Sequence, residues 1–306
     1  MRILVLGAGG TGGYFGGRLA EAGADVSFLV RPARAKTIAA RGLVIKSPVG
    51  DATLKVKTVS AEQPGGPYDI VLLTCKAYDL DSAMDAIAGG VGPNTAIVPL
   101  LNGLNHLDRL DAKFGKARVV GGLCQIGVTL SPEGDIVHLD PVHALVFGER
   151  DGGTSARLDA FVKAFDGAKA VARQSPEIML EMWEKFLFLC TLAAMSTLFR
   201  NTTGNILKAP DGKEILLECL AECRAVMEGS GFTPRAPYVE RVMTMLLEPN
   251  APRQGSMARD ISRGNKVEAD HVVGDMVNRA KTLGIKTPML RVAYAGLKAY
   301  EASRPS

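Results

Sequence analysis

The chain predicts an α/β, Rossmann-type dinucleotide-binding domain at the N-terminus, followed by an all-α C-terminal domain. Two observations carry this expectation. The first is a strand, glycine turn, helix and strand in immediate succession from Arg2. The second is a change of pattern after about Gly167, from alternating strands and helices to helical periodicity alone. The expected division is a nucleotide domain over residues 1–170 and a helical substrate and catalytic domain over 171–306, with the substrate cleft between them.

The N-terminal unit is read residue by residue. Ile3, Leu4, Val5 and Leu6 form a short apolar strand that runs into Gly7-Ala8-Gly9-Gly10-Thr11-Gly12. Leu19, Ala20 and Ala22 continue an amphipathic helix to a stop at Gly23. Gly7 permits the tight turn, Gly9 lets the backbone approach phosphates without a Cβ, and Gly12 lets the helix pack closely on the strand. With Gly10 and Thr11 these residues form the expected pyrophosphate cradle, where free N–H groups at a helix N-terminus meet an anion. The second strand, expected over Asp25–Val30, ends in Arg31, with Arg34 and Lys36 close behind and no carboxylate among them. An NAD site places Asp or Glu there for the ribose 2′-hydroxyl, whereas a 2′-phosphate needs a cation. The residues therefore favour NADPH, against the alternative that these are ordinary solvated charges.

Further strands are expected at Ile70–Thr74, Ala96–Pro99 and Val119–Leu123, with helices at Leu80–Ile87 and Leu104–Leu110 between them. Leu43–Lys46 and Ala52–Val56 read as a hairpin around Pro48-Val49-Gly50, and Ile136–His138 and Ala144–Phe147 as short strands that extend or cap the sheet. Ser175-Pro176-Glu177 is a helix start, with Ser as N-cap and Pro at the first helical position. Helices are then expected over Ile178–Leu198, Asp211–Gly229, Pro237–Leu247, Asn265–Leu283 and Pro288–Ala302, punctuated by Pro and Gly.

Composition narrows the function classes. The net charge is +4, with no lysine-rich run and no basic stripe interleaved with aromatics, so nucleic acid is not an expected partner. The most apolar stretch, Phe186 to Phe199, is shorter than a membrane span needs and contains Thr and Ser, so it reads as a buried helix. A strand starting at residue 2 leaves no room for a signal peptide, and a cytoplasmic location is expected. Cys75, Cys124, Cys190, Cys219 and Cys223 show no CxxC pair, and His106, His138, His143 and His271 show no metal-ligand spacing. Neither a disulfide framework nor a metal site is expected.

Several residues could carry chemistry. Ligands of open α/β sheets bind beyond the C-terminal strand ends, which places Lys76 of Thr74-Cys75-Lys76-Ala77-Tyr78 and Asn102 of Leu100-Leu101-Asn102-Gly103 at the expected crevice. A bland loop lysine and a turn-forming Asn before Gly are the alternatives. Lys185, in Met182-Trp183-Glu184-Lys185-Phe186, is the lone cation entering an apolar helix. Burial would disfavour its charged form and suit it to donate a proton near neutral pH. The alternative is an i,i+4 ion pair with Glu181. Ser256, in Gly255-Ser256-Met257-Ala258-Arg259-Asp260-Ile261, and Glu268, in Lys266-Val267-Glu268-Ala269-Asp270, are polar groups that local pattern alone leaves open as solvated residues.

The ordered set GxGxxG, LLTCKAYD, LLNG, WEKF before a long helix, and GSMARDI with KVEAD resembles the 2-dehydropantoate 2-reductase (ketopantoate reductase) family over nearly the full length. The resemblance implies NADPH-dependent reduction of a 2-oxo acid, a small-molecule partner, to its 2-hydroxy acid. It implies 2-dehydropantoate as the substrate, (R)-pantoate as the product and pantothenate biosynthesis as the setting, in a chain that could assemble as a homodimer. By it Lys185 matches the general acid, Lys76 and Asn102 match cleft residues near cofactor and substrate, Ser256 and Glu268 match the substrate-binding pair, and Arg31 matches the 2′-phosphate contact.

The chain departs from the family at one stripe. Family members that reduce ketopantoate commonly carry Asn four and eight residues after the lysine, where this chain has Leu189 and Ala193. Positions i, i+4 and i+8 share a helical face, so the expected wall beside Lys185 is apolar and an apolar-branched 2-oxo acid becomes an alternative substrate. Two other readings compete. Tyr294 and Lys298 match a Tyr-x-x-x-Lys pattern, but in the last helix of the helical domain, where it reads as coincidence. A non-catalytic NADP-binding sensor would keep the glycine turn yet need no buried lysine.

Overall fold

The computed structural model describes residues 1–304. They form two compact units, one from Met1–Leu101 with His106–Met179, the other from Asn102–Asn105 with the residues from Leu180 on. The units part later in the chain than the change in sequence pattern, and the short Asn102–Asn105 loop belongs with the helices.

The first unit runs β1 (Arg2–Leu6), α1 (Gly10–Glu21), β2 (Asp25–Leu29), α2 (Pro32–Arg41), β3 (Leu43–Lys46), β4 (Ala52–Leu54), β5 (Lys57–Val59) and β6 (Tyr68–Leu73). It continues through α3 (Leu80–Ile87), β7 (Val91–Pro99), α4 (His106–Phe114), β8 (Gly121–Leu130), β9 (Ile136–Gly148), α5 (Ala156–Lys163) and β10 (Val171–Gln174). Five strands make a parallel sheet in the order β5-β2-β1-β6-β7. The strand order reverses at β1, so the chain leaves β1 and β6 on opposite sides of a switch point, where open α/β sheets bind their ligands. Ile3, Leu4 and Val5 are buried, as a central parallel strand covered on both faces requires.

A second sheet, in the order β10-β9-β3-β4 with β8 paired to β9, was not foreseen as separate. The expected hairpin of β3 and β4 forms, antiparallel, but in this second sheet. The two short strands expected over 136–138 and 144–147 are one long strand, β9.

Helix α1 packs against both sheets, and this accounts for its glycines. A Cβ on Gly12 would lie 2.4 Å from the Gly7 carbonyl oxygen and 2.4 Å from Thr74 Oγ1, and one on Gly16 would lie 2.8 Å from the Phe28 ring. On the opposite flank, a Cβ on Gly13 would lie 2.5 Å from Ile136 Cδ1 and one on Gly17 2.7 Å from Ile45 Cδ1. The pairs 12/16 and 13/17 are i,i+4 neighbours, so each pair faces one sheet. Each interior glycine costs about 1 kcal/mol of helix propensity, offset by the contact of β1, β2, β3 and β9 side chains with the bare helix backbone.

The second unit consists of α6 (Ile178–Leu198), which starts just before the division, then α7 (Thr203–Ile206), α8 (Gly212–Gly229), α9 (Ala236–Leu246), α10 (Ser256–Ser262), α11 (Asp275–Thr282) and α12 (Pro288–Ser303). Ser175 Oγ accepts the Glu177 N–H at 3.1 Å ahead of α6, so the predicted capping residue does bond the helix entrance, although the helix itself begins at Ile178. Helix α6 tolerates its polar residues inside because Thr191, Ser196 and Thr197 hydroxyls donate to the carbonyls four residues back, at 2.9, 2.6 and 2.7 Å. Among the described residues no helix is long and apolar enough to cross a membrane.

The helix expected over 265–283 is shorter than its periodicity suggested. A π turn, Asp270–Gly274, precedes α11, and Asn265–Ala269 is not helical. Glu222 of α8 accepts the N–H groups of Met289 and Leu290 at 2.8 and 2.9 Å, supplying the first turn of α12 with acceptors. Burial pushes this carboxyl up, against the lowering effect of those two hydrogen bonds.

Candidate functional site

In the first unit β1 runs into Gly7, whose φ of +86° is costly for any residue with a Cβ. Its N–H donates to the Leu29 carbonyl at 2.9 Å, and Thr74 Oγ1 donates to the Leu6 carbonyl at 2.6 Å, so the neighbouring strands β2 and β6 hold the turn. Gly9 precedes α1, and a Cβ built on it would meet no atom within 4 Å. Thr11 opens the first turn of α1, and Gly10 lies beneath Val128 of β8, 3.1 Å from where its Cβ would stand. The open face at Gly9 and the N-terminus of α1 therefore coincide, the arrangement that suits a phosphate group.

Arg31 follows β2 as the residue before α2, and its side chain is 82% exposed. Among the described residues its ion pair is a long one, 3.6 Å to Asp79. Arg34, grouped with Arg31 by sequence proximity, behaves differently: its guanidinium turns inward and donates to backbone carbonyls of Ala8 and Gly134. Lys76 is exposed just beyond the end of β6, ahead of a single 3₁₀ turn over Ala77–Asp79.

The second unit contains Asn102, Lys185, Ser256 and Glu268. Lys185 is half-buried on α6, between buried Glu184 and Phe186. Glu184 accepts the Arg235 backbone N–H and Nε at 2.9 Å each and pairs with Nη2, which ties α6 to the residue that precedes α9. Among the described residues no hydrogen bond or ion pair engages the Lys185 ammonium, so the pair with Glu181 that the spacing allowed is not formed.

Three distant segments converge on this helix. A Cβ on Gly103, next to Asn102, would lie 2.8 Å from the His271 carbonyl oxygen and 3.7 Å from Phe186. Cys190 of α6 points its thiol at the Val272 carbonyl, 4.0 Å away, in the π turn that follows Glu268. Gly255, next to Ser256, donates its N–H to Ser196 Oγ at 3.1 Å, and a Cβ on it would stand 3.3 Å from Ala193 Cα. Asn102, Ser256 and Glu268 thus each flank a segment that touches α6; Glu268 is buried, and Asn102 and Ser256 are partly so.

Ala193 is buried on α6 at 3% exposure, and a Cβ on Gly255 would stand 3.3 Å from its Cα, so the start of α10 lies close to this position. Leu189 is partly exposed and remains the residue that makes this stripe apolar. The Tyr294 and Lys298 pattern forms a structural clip. Tyr294 OH donates to Asp270 at 2.6 Å, Lys298 Nζ donates to Asp270 at 3.1 Å, and the Tyr294 ring covers Gly274, so α12 braces the π turn. Burial works against ionisation of Asp270, yet the hydrogen bonds from Tyr294 and Lys298 hold its carboxyl below the ordinary range. Gly103 and Gly255 were not singled out from sequence, although a glycine beside each candidate polar residue was the available signal. Among the described residues no group of His, Cys, Asp or Glu could hold a metal ion.

Comparison with known proteins places this architecture. Residues 3–152 match the family model described as ketopantoate reductase PanE/ApbA, and residues 177–301 match its C-terminal counterpart. The uncharacterized oxidoreductase YkpB of Bacillus subtilis (strain 168) is 37% identical over 308 residues, 99% of this chain and 100% of that protein. The 2-dehydropantoate 2-reductase of Pyrococcus horikoshii is 26% identical over 304 residues, 99% of this chain and 98% of its own length. The crystal structure of 2-dehydropantoate 2-reductase from Methylococcus capsulatus superposes with a TM-score of 0.89 at 28% identity, covering 100% of this chain and 99% of that one. The chain belongs to the ketopantoate reductase family of oxidoreductases.

Proposed function

We propose that the chain reduces the carbonyl of a 2-oxo acid to the 2-hydroxy acid with NADPH, and that Lys185 is the general acid. The observation that carries the reading is the Lys185 ammonium, without a hydrogen-bond or ion-pair partner among the described residues, on a helix touched by the segments that bear Asn102, Ser256 and Glu268. NADPH, when bound, supplies a hydride to the carbonyl carbon. Lys185 hydrogen-bonds the carbonyl oxygen, stabilises the negative charge that develops on it and delivers the proton. Ser256 and Glu268 hold the substrate, and Asn102 orients the substrate or the nicotinamide carboxamide. Gly7, Gly9, Gly10, Thr11 and Gly12 cradle the pyrophosphate, Arg31 meets the 2′-phosphate, and Lys76 lies against the cofactor. The family reading carries a cytoplasmic location and a homodimer with it.

The substrate we propose first is 2-dehydropantoate, giving (R)-pantoate for pantothenate biosynthesis. Leu189 favours a second reading, an apolar-branched 2-oxo acid, because a substrate hydroxyl set against it loses water contacts at roughly 1–3 kcal/mol. The experiment compares kcat/KM for 2-dehydropantoate and 2-oxoisovalerate on the wild type and on Leu189→Asn. On the second reading the wild type discriminates weakly or favours the apolar acid, and the variant shifts toward 2-dehydropantoate. A wild-type preference for 2-dehydropantoate of about a hundredfold, equivalent to about 2.7 kcal/mol, would remove the second reading and keep the first.

A further inference from the structure

The geometry points to Arg34 as a positioning residue that sets the Ala8–Gly9 peptide plane and thereby aims the Gly9 N–H at a bound pyrophosphate. This inference rests on the proposed cofactor site. Arg34 Nε and Nη2 both donate to the Ala8 carbonyl oxygen, at 3.0 and 2.8 Å, so two arms of a rigid guanidinium fork close on one acceptor. The third arm, Nη1, donates to the Gly134 carbonyl at 2.8 Å, in the turn between β8 and β9. The fork is fixed at its far end as well, and Arg34 itself stands on α2 one turn after Arg31.

A trans peptide is planar, with its C=O and N–H pointing in opposite directions. Anchoring the Ala8 carbonyl toward α2 therefore turns the Gly9 N–H away from it. Gly9 has the freedom to rotate this plane, being a glycine with no atom within 4 Å of a Cβ position, so an outside restraint is needed to hold one orientation. Left to itself the peptide could flip and present its carbonyl oxygen to an anion, a repulsive contact. Arg34 opposes the flip by occupying that oxygen with two charge-assisted hydrogen bonds. Preorganisation of this kind favours pyrophosphate binding whether or not the ribose carries a 2′-phosphate.

The test measures dissociation constants of NADPH, NADH and adenosine 2′-monophosphate, together with thermal stability, for the wild type, Arg34→Ala and Arg34→Lys. The expected result is that Arg34→Ala weakens NADPH and NADH alike by about tenfold, with their ratio unchanged and adenosine 2′-monophosphate binding intact. Arg34→Lys, which keeps the charge but not the fork, should lose nearly as much, and it carries the test if the alanine variant does not fold. A loss confined to NADPH would make Arg34 a 2′-phosphate ligand and overturn the inference. So would a lower melting temperature with unchanged dissociation constants, which would reduce Arg34 to a strut between α2 and the β8–β9 turn, and so would full binding by the lysine variant. A wild type that binds neither dinucleotide would instead overturn the cofactor reading on which the inference rests.

Discussion

Lys185→Ala is expected to lower kcat by about two to four orders of magnitude while leaving the NADPH dissociation constant nearly unchanged. The size follows from the two tasks that end together: stabilising the oxygen as it gains charge, and supplying its proton. The selectivity follows from the proposed role, since Lys185 acts on the substrate carbonyl and not on the cofactor. Loss of stability does not explain such a result, because the ammonium has no ion pair to lose among the described residues. Steady-state kinetics with a saturating 2-oxo acid, beside a fluorescence titration of NADPH, separate the two effects. A variant that keeps most of its kcat would make Lys185 a snorkelling surface cation whose stem covers apolar helix.

Arg31→Ala is expected to raise the NADPH dissociation constant about tenfold to a hundredfold and to leave that of NADH within about twofold. A charge-assisted hydrogen bond to phosphate is worth roughly 1.5–3 kcal/mol, and NADH lacks the group that would receive it. The substitution should cost little stability, since an exposed ion pair as long as the 3.6 Å one to Asp79 contributes almost nothing. Titration of both cofactors against the same variant checks this. Equal losses for NADPH and NADH would mean that Arg31 serves the turn or the pyrophosphate and that the strand end does not select the 2′-phosphate.

Much of the first unit was legible because its signals are local. The glycine spacing, the apolar strand before it and the helix after it all lie within the first two dozen residues, and Leu43–Lys46 and Leu80–Ile87 stand where their periodicity puts them, as does Ile178–Leu198 at the start of the second unit. The second sheet was not legible. Its defining contacts are the parallel pairings of β3 with β9 and of β9 with β10, which join segments far apart in sequence and leave no mark on either strand alone. The strands β5 and β10 are short and partly exposed, and α2 buries little beyond Ile38, so none carries a strong pattern; the proline at the start of α2 was the usable signal.

The candidate site was legible unevenly for similar reasons. The spacing of Glu181 and Lys185 is the same whether or not they pair, so periodicity could not decide between catalyst and salt bridge. Arg34 looked like a strand-end cation because its acceptors are backbone carbonyls, one 26 and the other 100 residues away, which no side-chain pattern announces. Ala193 read as pocket wall from its helical stripe, whereas its burial beside the Gly255 segment depends on residues distant in sequence that the stripe does not show.

Transfer of deuterium from NADPH labelled at nicotinamide C4 to the C2 carbon of the product tests the central claim most directly. The wild-type protein is incubated with 2-dehydropantoate, or with the 2-oxo acid it consumes fastest, and the hydroxy acid is analysed by mass spectrometry and NMR. The expected product carries one deuterium at C2 when the transferred face of the nicotinamide is the labelled one, with the hydroxyl proton drawn from solvent through Lys185. Tight binding of NADPH with no label in any hydroxy acid, and no cofactor consumed across a panel of 2-oxo acids, would contradict the account and leave a nucleotide-binding protein without this turnover.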